Sequence, residues 1–230
     1  MKRAATGSSL VNAHCNRCLG ETKHKVIATE TKVWPDAEDA NDNSIWGKEV
    51  HELLRCQGCD SITLRHCEWS SEDTDDRGQP IRHINYFPPA VSRQKPKWLT
   101  EFLLNLPIGK SGMRWLVDEI YAALHSDLNR LAAMGIRTLV DMVMTERIGD
   151  VGTFSAKLNK LQNEGYISRV QRELLERTID AGNAAAHRGY KPDKVDLESI
   201  LGIVENLIET IYVHTNQAKA FSKKIPKRKI

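Results

Sequence analysis

Two short cysteine loops constrain this chain more than any other feature: Cys15-x-x-Cys18 and Cys56-x-x-Cys59, with 37 residues between them. Each loop sets two thiols on one tight turn, and together they offer four thiolates, a complete tetrahedral ligand set for zinc. A thioredoxin-like redox motif is normally one such pair at a strand–helix junction. Two pairs with polar residues between the cysteines (Asn16-Arg17 and Gln57-Gly58) point to a metal instead. The expected cofactor is one structural Zn2+ per chain, held by Cys15, Cys18, Cys56 and Cys59. A shell closed by four sulfurs leaves no position for water, so Lewis-acid catalysis is not expected there. His14, His24 and His66 lie close enough in sequence to replace a cysteine, but rank behind the thiols as neighbours of the site or surface groups. Cys67 is left over and reads as a lone structural or surface thiol.

A chain of 230 residues has room for one large domain or two modest ones. No apolar run approaches the ~18 residues that span a bilayer, so no membrane partner is expected. Met1 to Leu10 carries two basic residues with no apolar stretch behind them, unlike a secretory leader. The expected compartment is the cytoplasm, where paired cysteines favour metal over disulfide. The formal charge of +3 is concentrated at the end: Lys223, Lys224, Lys227, Arg228 and Lys229 are five of the last eight residues. Without them the remainder stands at about −2, so the folded part is not intrinsically basic. Such a tail is either solvated or touches nucleic acid.

Hydrophobic periodicity divides the chain. Residues 1–12 are expected to be a disordered start and 13–69 a zinc ribbon of two hairpins whose tips meet at the metal. Its strands are read at His24–Thr31, at Glu49–Arg55 leading into the second pair, and at Ile62–His66 leaving it. A ribbon has little core of its own, so its folding and metal binding are coupled. Residues 70–110 read as a connector punctuated by Pro80, Pro88, Pro89, Pro96 and Pro107, with a short strand at Ile84–Phe87 and a short amphipathic helix around Trp98–Leu104. From Ser111 the period becomes helical. Helices are predicted over Met113–His125, over about 127–147, around Phe154–Leu161, after a cap at Ser168, and from Asp196 through Tyr212. Residues 111–219 therefore form an all-α bundle, and 220–230 a basic tail.

Within the bundle one stretch carries possible chemistry: Ala181-Gly182-Asn183-Ala184-Ala185-Ala186-His187-Arg188-Gly189. Its small residues allow a neighbouring helix to approach closely. Asn183 and His187 are four apart and share one helical face. They form either a polar clamp that satisfies backbone groups near the helix end, or the general acid–base group of a phosphodiester cleavage. No nucleotide-binding glycine loop, nucleophile elbow or paired catalytic carboxylate accompanies them.

This stretch, read as Ile179-Asp180-Ala181-Gly182-Asn183-Ala184-Ala185-Ala186-His187-Arg188-Gly189, resembles the motif of the prokaryotic family called domain of unknown function 4145. The helix Ile136-Arg137-Thr138-Leu139-Val140-Asp141 is similar to another of its segments, with Asp141 near an acidic place. Members often join an amino-terminal zinc ribbon to an α-helical module similar to the HEPN superfamily, which includes dimeric ribonucleases of toxin–antitoxin, CRISPR and anti-phage systems. The resemblance implies an α+β chain: a small β zinc ribbon followed by an all-α HEPN-like helical bundle, homodimeric through the bundle. It implies an accessory or sensor component of a prokaryotic defence system (anti-phage, restriction or toxin–antitoxin) that binds RNA or DNA or a protein partner. Its cations would be Arg17, Lys23, Lys25, Arg55, Arg65 and Arg188. The alternatives are a metal-independent ribonuclease using His187 and Asn183, and a scaffold that binds protein alone. Ile179 stands where the family's arginine would fall, so a catalytic phosphate partner would have to be Arg177 or Arg137.

Overall fold

The computed structural model describes residues 9–34, 45–91, 93–107, 109 and 111–225. The chain is α+β and divides into two compact units, Met1–Val91 and Ser92–Ile230. Residues 1–8 of the expected disordered start and the basic residues Lys227, Arg228 and Lys229 lie outside the described residues.

Among the described residues the first unit is one antiparallel meander of five strands: β1 (Leu10–Cys15), β2 (Gly20–Trp34), β3 (Gly47–Cys56), β4 (Ile62–Ser70) and β5 (His83–Phe87), paired in sequence order. It begins earlier than expected, because Leu10, Val11 and Asn12 already pair with Lys25, His24 and Lys23. It also runs past residue 69, because β5 adds to the edge of β4 with Cys67 opposite Ile84 and Leu64 opposite Phe87. Strand β2 is 15 residues long and its register with β3 shifts between Val26 and Ala28. The extra residue there, Ile27, is a bulge. Bulges bend a strand and swap which residues face each side. Before it Lys23 and Lys25 share the face of Arg55; after it Ala28, Glu30 and Lys32 share the face of Leu53, His51 and Glu49. The opposite face holds a small core of Ala13, Val26 and Leu54, flanked by Val11 and Tyr86. Beyond the buried cysteines, this small cluster contributes too little burial to hold a five-stranded sheet by itself.

The second unit is helical: α1 (Lys97–Leu104), α2 (Ser111–His125), α3 (Asn129–Ile148), α4 (Phe154–Asn163), α5 (Arg169–His187), α6 (Lys194–Ile208), a π-helical turn (Glu209–His214) and α7 (Thr215–Ser222). Helix α3 is buried on several sides, through Ala132, Ala133, Ile136, Leu139, Val140, Val143 and Met144, as a central bundle helix should be. It stops at Gly149, whose φ of 78° is left-handed and costs a glycine little. Ser168 and Gln171 form a reciprocal capping box at the start of α5.

The last helix departs from expectation in two ways. It starts at Lys194 rather than Asp196, because the Asp193 carboxylate caps it by accepting from the Asp196 N–H at 2.8 Å. It is also broken: after Ile208 the turn widens, and the Thr215 hydroxyl donates to the Thr210 carbonyl at 3.0 Å. Ile211 stays buried there, and the Tyr212 ring lies 5.1 Å from that of Phe102.

Two buried charges in this unit are paired. Glu205, 7% exposed, accepts from Arg93 Nη2 at 2.5 Å and from the Tyr121 hydroxyl. Burial and the Glu205 carboxylate raise the Tyr121 pKa, so its proton stays available to that bond. Lys157, 5% exposed, donates to Asp141 Oδ1 at 2.8 Å and Thr145 Oγ1 at 2.9 Å, and lies 3.2 Å from Asp150 Oδ1. Its hydrogen bond to Asp141 leads in raising its pKa against burial, which accounts for Asp141 as a structural partner.

Close approach of α3 and α5 requires Gly182: a Cβ there would lie 2.6 Å from Arg137 Cβ and 3.0 Å from the Ala133 carbonyl. Gly182→Ala is expected to destabilise the helical unit by about 1–3 kcal/mol in urea denaturation. Ala186→Ser, at an exposed position of the same stretch, should change it by less than about 0.5 kcal/mol.

Candidate metal centre

Both cysteine pairs lie at hairpin tips. Cys15 ends β1 before Gly20 opens β2, and Cys56 ends β3 before Ile62 opens β4. The two loops are built alike. Leu19 N–H donates to the Cys15 carbonyl at 2.7 Å and Asp60 N–H to the Cys56 carbonyl at 3.1 Å. Leu19 and Asp60 are both left-handed, with φ of 65° and 57°. This conformation costs a non-glycine residue roughly 1–2 kcal/mol, so its repetition after each pair marks a backbone shaped for the site. Pairing of β2 with β3 sets His24 opposite Cys56, and Gln57 N–H donates to the Lys23 carbonyl at 2.8 Å, which joins the two tips.

The four sulfurs converge. Cys15 Sγ lies 3.5 Å from Cys59 Sγ, Cys18 Sγ 3.8 Å from Cys56 Sγ, and all four lie within 4.8 Å of one another. A tetrahedral ion with metal–sulfur bonds of about 2.3 Å needs sulfur–sulfur edges of about 3.8 Å. The cluster can therefore hold a metal ion. Donors surround it: Ser61 Oγ lies 3.2 Å from Cys15 Sγ and 3.1 Å from Cys59 Sγ, and Thr22 Oγ1 lies 3.3 Å from Cys56 Sγ. Backbone N–H groups of Cys18 and Gly58 point at Cys15 and Cys56 at 3.4 and 3.3 Å.

These donors act on the thiols unequally. Burial pushes the Cys15 thiol up, but hydrogen bonds from Ser61 and from the Cys18 and Arg17 N–H groups outweigh it and hold the pKa at about 6. Cys56 is likewise lowered, chiefly by Thr22 against burial. Hydrogen bonding with Cys59 and Cys56 pushes Cys18 up to about 12. Four thiolates packed this closely repel one another, and a divalent cation at their centre removes the conflict.

None of the three nearby histidines replaces a cysteine in this group. His24 is buried with Nδ1 3.0 Å from the Thr22 carbonyl, His14 Nε2 is buried without a hydrogen-bond partner among the described residues, and His66 sits with Glu49 on the sheet. Cys67 is half-buried in β4 between Val50 and Ile84, outside the four-sulfur group. Ser61 and Thr22 were not singled out in the sequence; the signal was a hydroxyl two residues after Cys59 and four after Cys18. Asn16, between the first two cysteines, fastens the chain beyond β5: its Nδ2 donates to the Pro89 carbonyl at 2.9 Å and its Oδ1 accepts from Val91 N–H at 2.8 Å.

The six candidate cations fall into three groups. Lys25 and Arg55 are directly opposite on β2 and β3, Lys23 is two residues from Lys25, and all three are exposed and make no ion pair among the described residues. Arg17 is exposed within the first cysteine loop. Arg65 points to the other face and is tied to Glu52 Oε2 at 2.5 Å, and Arg188, in the helical unit, is tied to Asp180 at 2.6 Å.

In the helical unit Asn183 Oδ1 accepts from Arg137 Nε at 2.6 Å, and the Arg137 guanidinium lies 4.4 Å from the centre of the Phe154 ring. Arg137 is thus held by its own packing and by Asn183. The His187 ring is exposed and makes no hydrogen bond or ion pair among the described residues. Arg177 and Arg188 line a shallow open groove with Glu176, Asp180, Ala181, Ala184 and Tyr190, in which Asp180 pairs with Arg188 while Glu176 pairs with Arg172.

Ser61→Ala removes a hydroxyl shared by two sulfurs. Metal affinity is expected to fall about 10-fold, read by competition with a chromophoric chelator, with the fold retained. The family described as domain of unknown function (DUF4145) matches residues 118–228. No curated protein and no solved structure matches the chain. The matched segment begins within α2 and takes in the stretch around Asn183 and His187.

Proposed function

We propose that this chain is a nucleic-acid-binding module whose β unit is folded around one thiolate-bound Zn2+. An all-sulfur tetrahedral set suits Zn2+, and its closed shell makes the ion structural. The observation that carries the binding reading is the group of Lys23, Lys25 and Arg55, exposed on one sheet face beside the cysteine loops and without an ion pair among the described residues. Cations fixed on a strand framework without carboxylate partners suit a phosphate backbone. The place of such a module as an accessory or sensor part of a prokaryotic defence system follows from its family resemblance and stands as part of the proposal.

The ribonuclease reading has less behind it. A phosphodiester cleavage by His187 needs a cation beside that ring to take the developing charge. Arg137 is instead engaged by Asn183 and Phe154, and Arg177 and Arg188 share their groove with Glu176 and Asp180.

Binding to a labelled RNA and a labelled DNA across a salt series tests both readings. The parent chain should bind one of them with affinity that falls as salt rises. Replacing Lys23, Lys25 and Arg55 together by Ala should weaken binding at least ~10-fold and reduce the salt slope by about 2 to 3. Parent and His187→Ala should leave the RNA equally intact. Absence of salt-dependent binding to either nucleic acid would contradict the proposal and favour a scaffold that binds protein.

A further inference from the structure

A second cluster of metal-ligand type lies on the sheet away from the four cysteines. His51 in β3 is directly opposite His66 in β4, and Glu49 is directly opposite Glu68 one pleat along. Directly opposite residues in an antiparallel pair point to the same face, as do residues two apart on one strand. All four therefore emerge on the face opposite the small core, since Leu54 points the other way. The His51 and His66 rings stack 4.5 Å apart at 22°, and both direct Nε2 at one atom, Glu49 Oε1, at 3.6 and 3.1 Å. Glu68 Oε2 lies 4.0 Å from His66 Nε2.

We propose that Glu49, His51 and His66 form a second divalent-metal site, of the two-imidazole, one-carboxylate kind that takes Zn2+ and related first-row ions. Metal bonds of about 2.0–2.2 Å from nitrogen and oxygen donors in tetrahedral array place those donors about 3.3–3.5 Å apart. The distances of 3.1 and 3.6 Å already bracket that spacing, and the three ligand atoms lie within 4.8 Å of one another. The ligands sit on two long paired strands, so once the four-sulfur centre holds the sheet together their backbone positions are fixed before a second ion arrives. Their side chains are 28% (Glu49), 41% (His51) and 14% (His66) exposed, which leaves the remaining coordination positions facing solvent. Those positions would take water, the Glu68 carboxylate or an oxygen donor of a bound ligand. The neighbours are compatible. Glu30, opposite His51 on β2, adds negative charge, and Lys32, opposite Glu49, is exposed and makes no ion pair with it. His83, opposite Glu68 on β5, is paired with Asp73. The site is distinct from the four sulfurs: His51 and Cys56 are five residues apart along β3, about 17 Å.

The two sites differ in donor type, so one titration separates them. The full chain, stripped of metal under reducing conditions, is titrated with Zn2+ and its bound metal counted by mass spectrometry after equilibrium dialysis. Parallel Co2+ loading reports thiolate ligation by its sulfur-to-metal charge-transfer band. The parent should bind one equivalent with the thiolate signature and one without it. His66→Gln and Glu49→Gln should each weaken the second at least ~10-fold and leave the thiolate-held ion in place. His83→Gln should leave both unchanged. A parent that stops at one thiolate-held equivalent in excess Zn2+ would overturn the second site. So would a second equivalent that survives in both variants, which would mark scattered surface binding. Loss of the thiolate signature in the parent would instead overturn the cysteine centre, independently of the imidazole site.

Discussion

The convergence of four sulfurs at two hairpin tips is the constraint on which the β unit depends. Apart from His24 and the cysteines of the site, the large or apolar side chains buried in its described strands are Ala13, Val26 and Leu54, with partial cover from Val11 and Tyr86. Hydrophobic burial on that scale is worth a few kcal/mol at about 25 cal/mol per Å2 and does not offset the ordering of a five-stranded sheet. A tetrahedral thiolate ion adds free energy of about 10–16 kcal/mol in small zinc domains, expressed as folding. The local backbone is shaped accordingly. Two left-handed non-glycine residues, Leu19 and Asp60, follow the two pairs, and Ser61 and Thr22 orient hydroxyls onto sulfur.

The helical unit stands on different physics. Its core is continuous from Leu99 in α1 to Ile211 in the π-helical turn, and its buried charges carry partners on neighbouring elements. The stretch around Asn183 fits the same logic. Gly182 admits α3 to close range, and Asn183 receives the Arg137 donor, so the pattern of small and polar residues that suggests an acid–base site is also what helix packing requires. Asn183 is held by the Arg137 side chain rather than by backbone groups near the helix end. His187, one turn on, remains exposed and is not consumed by packing.

Much of this was legible in the residues, and the reasons differ. The cysteine spacing names its own geometry, because two C-x-x-C turns have few other uses, and the sulfurs do meet. Helical periodicity located α1 to α6, since apolar stripes and caps such as Ser168 and Gly149 are local signals. What stayed hidden was non-local. Leu10 to Asn12 looked like a frayed start because strand pairing with Lys23 to Lys25 cannot be read from one segment. The last helix looked unbroken because a π turn preserves an apolar stripe nearly as well as an α turn. The Glu49–His51–His66 cluster is invisible without the β3–β4 register, which alone puts His51 opposite His66. The pairing of Arg65 with Glu52 and of Arg188 with Asp180 was likewise a matter of register and helix-end geometry.

Hydrogen exchange of the full chain, followed by mass spectrometry before and after metal removal with a chelator, tests the central dependence most directly. Amides of β1 to β5 should be protected in the metal-loaded chain and lose that protection when the metal leaves, while α2 to α6 stay protected throughout. Strands that keep their protection after elemental analysis shows the metal gone would contradict it.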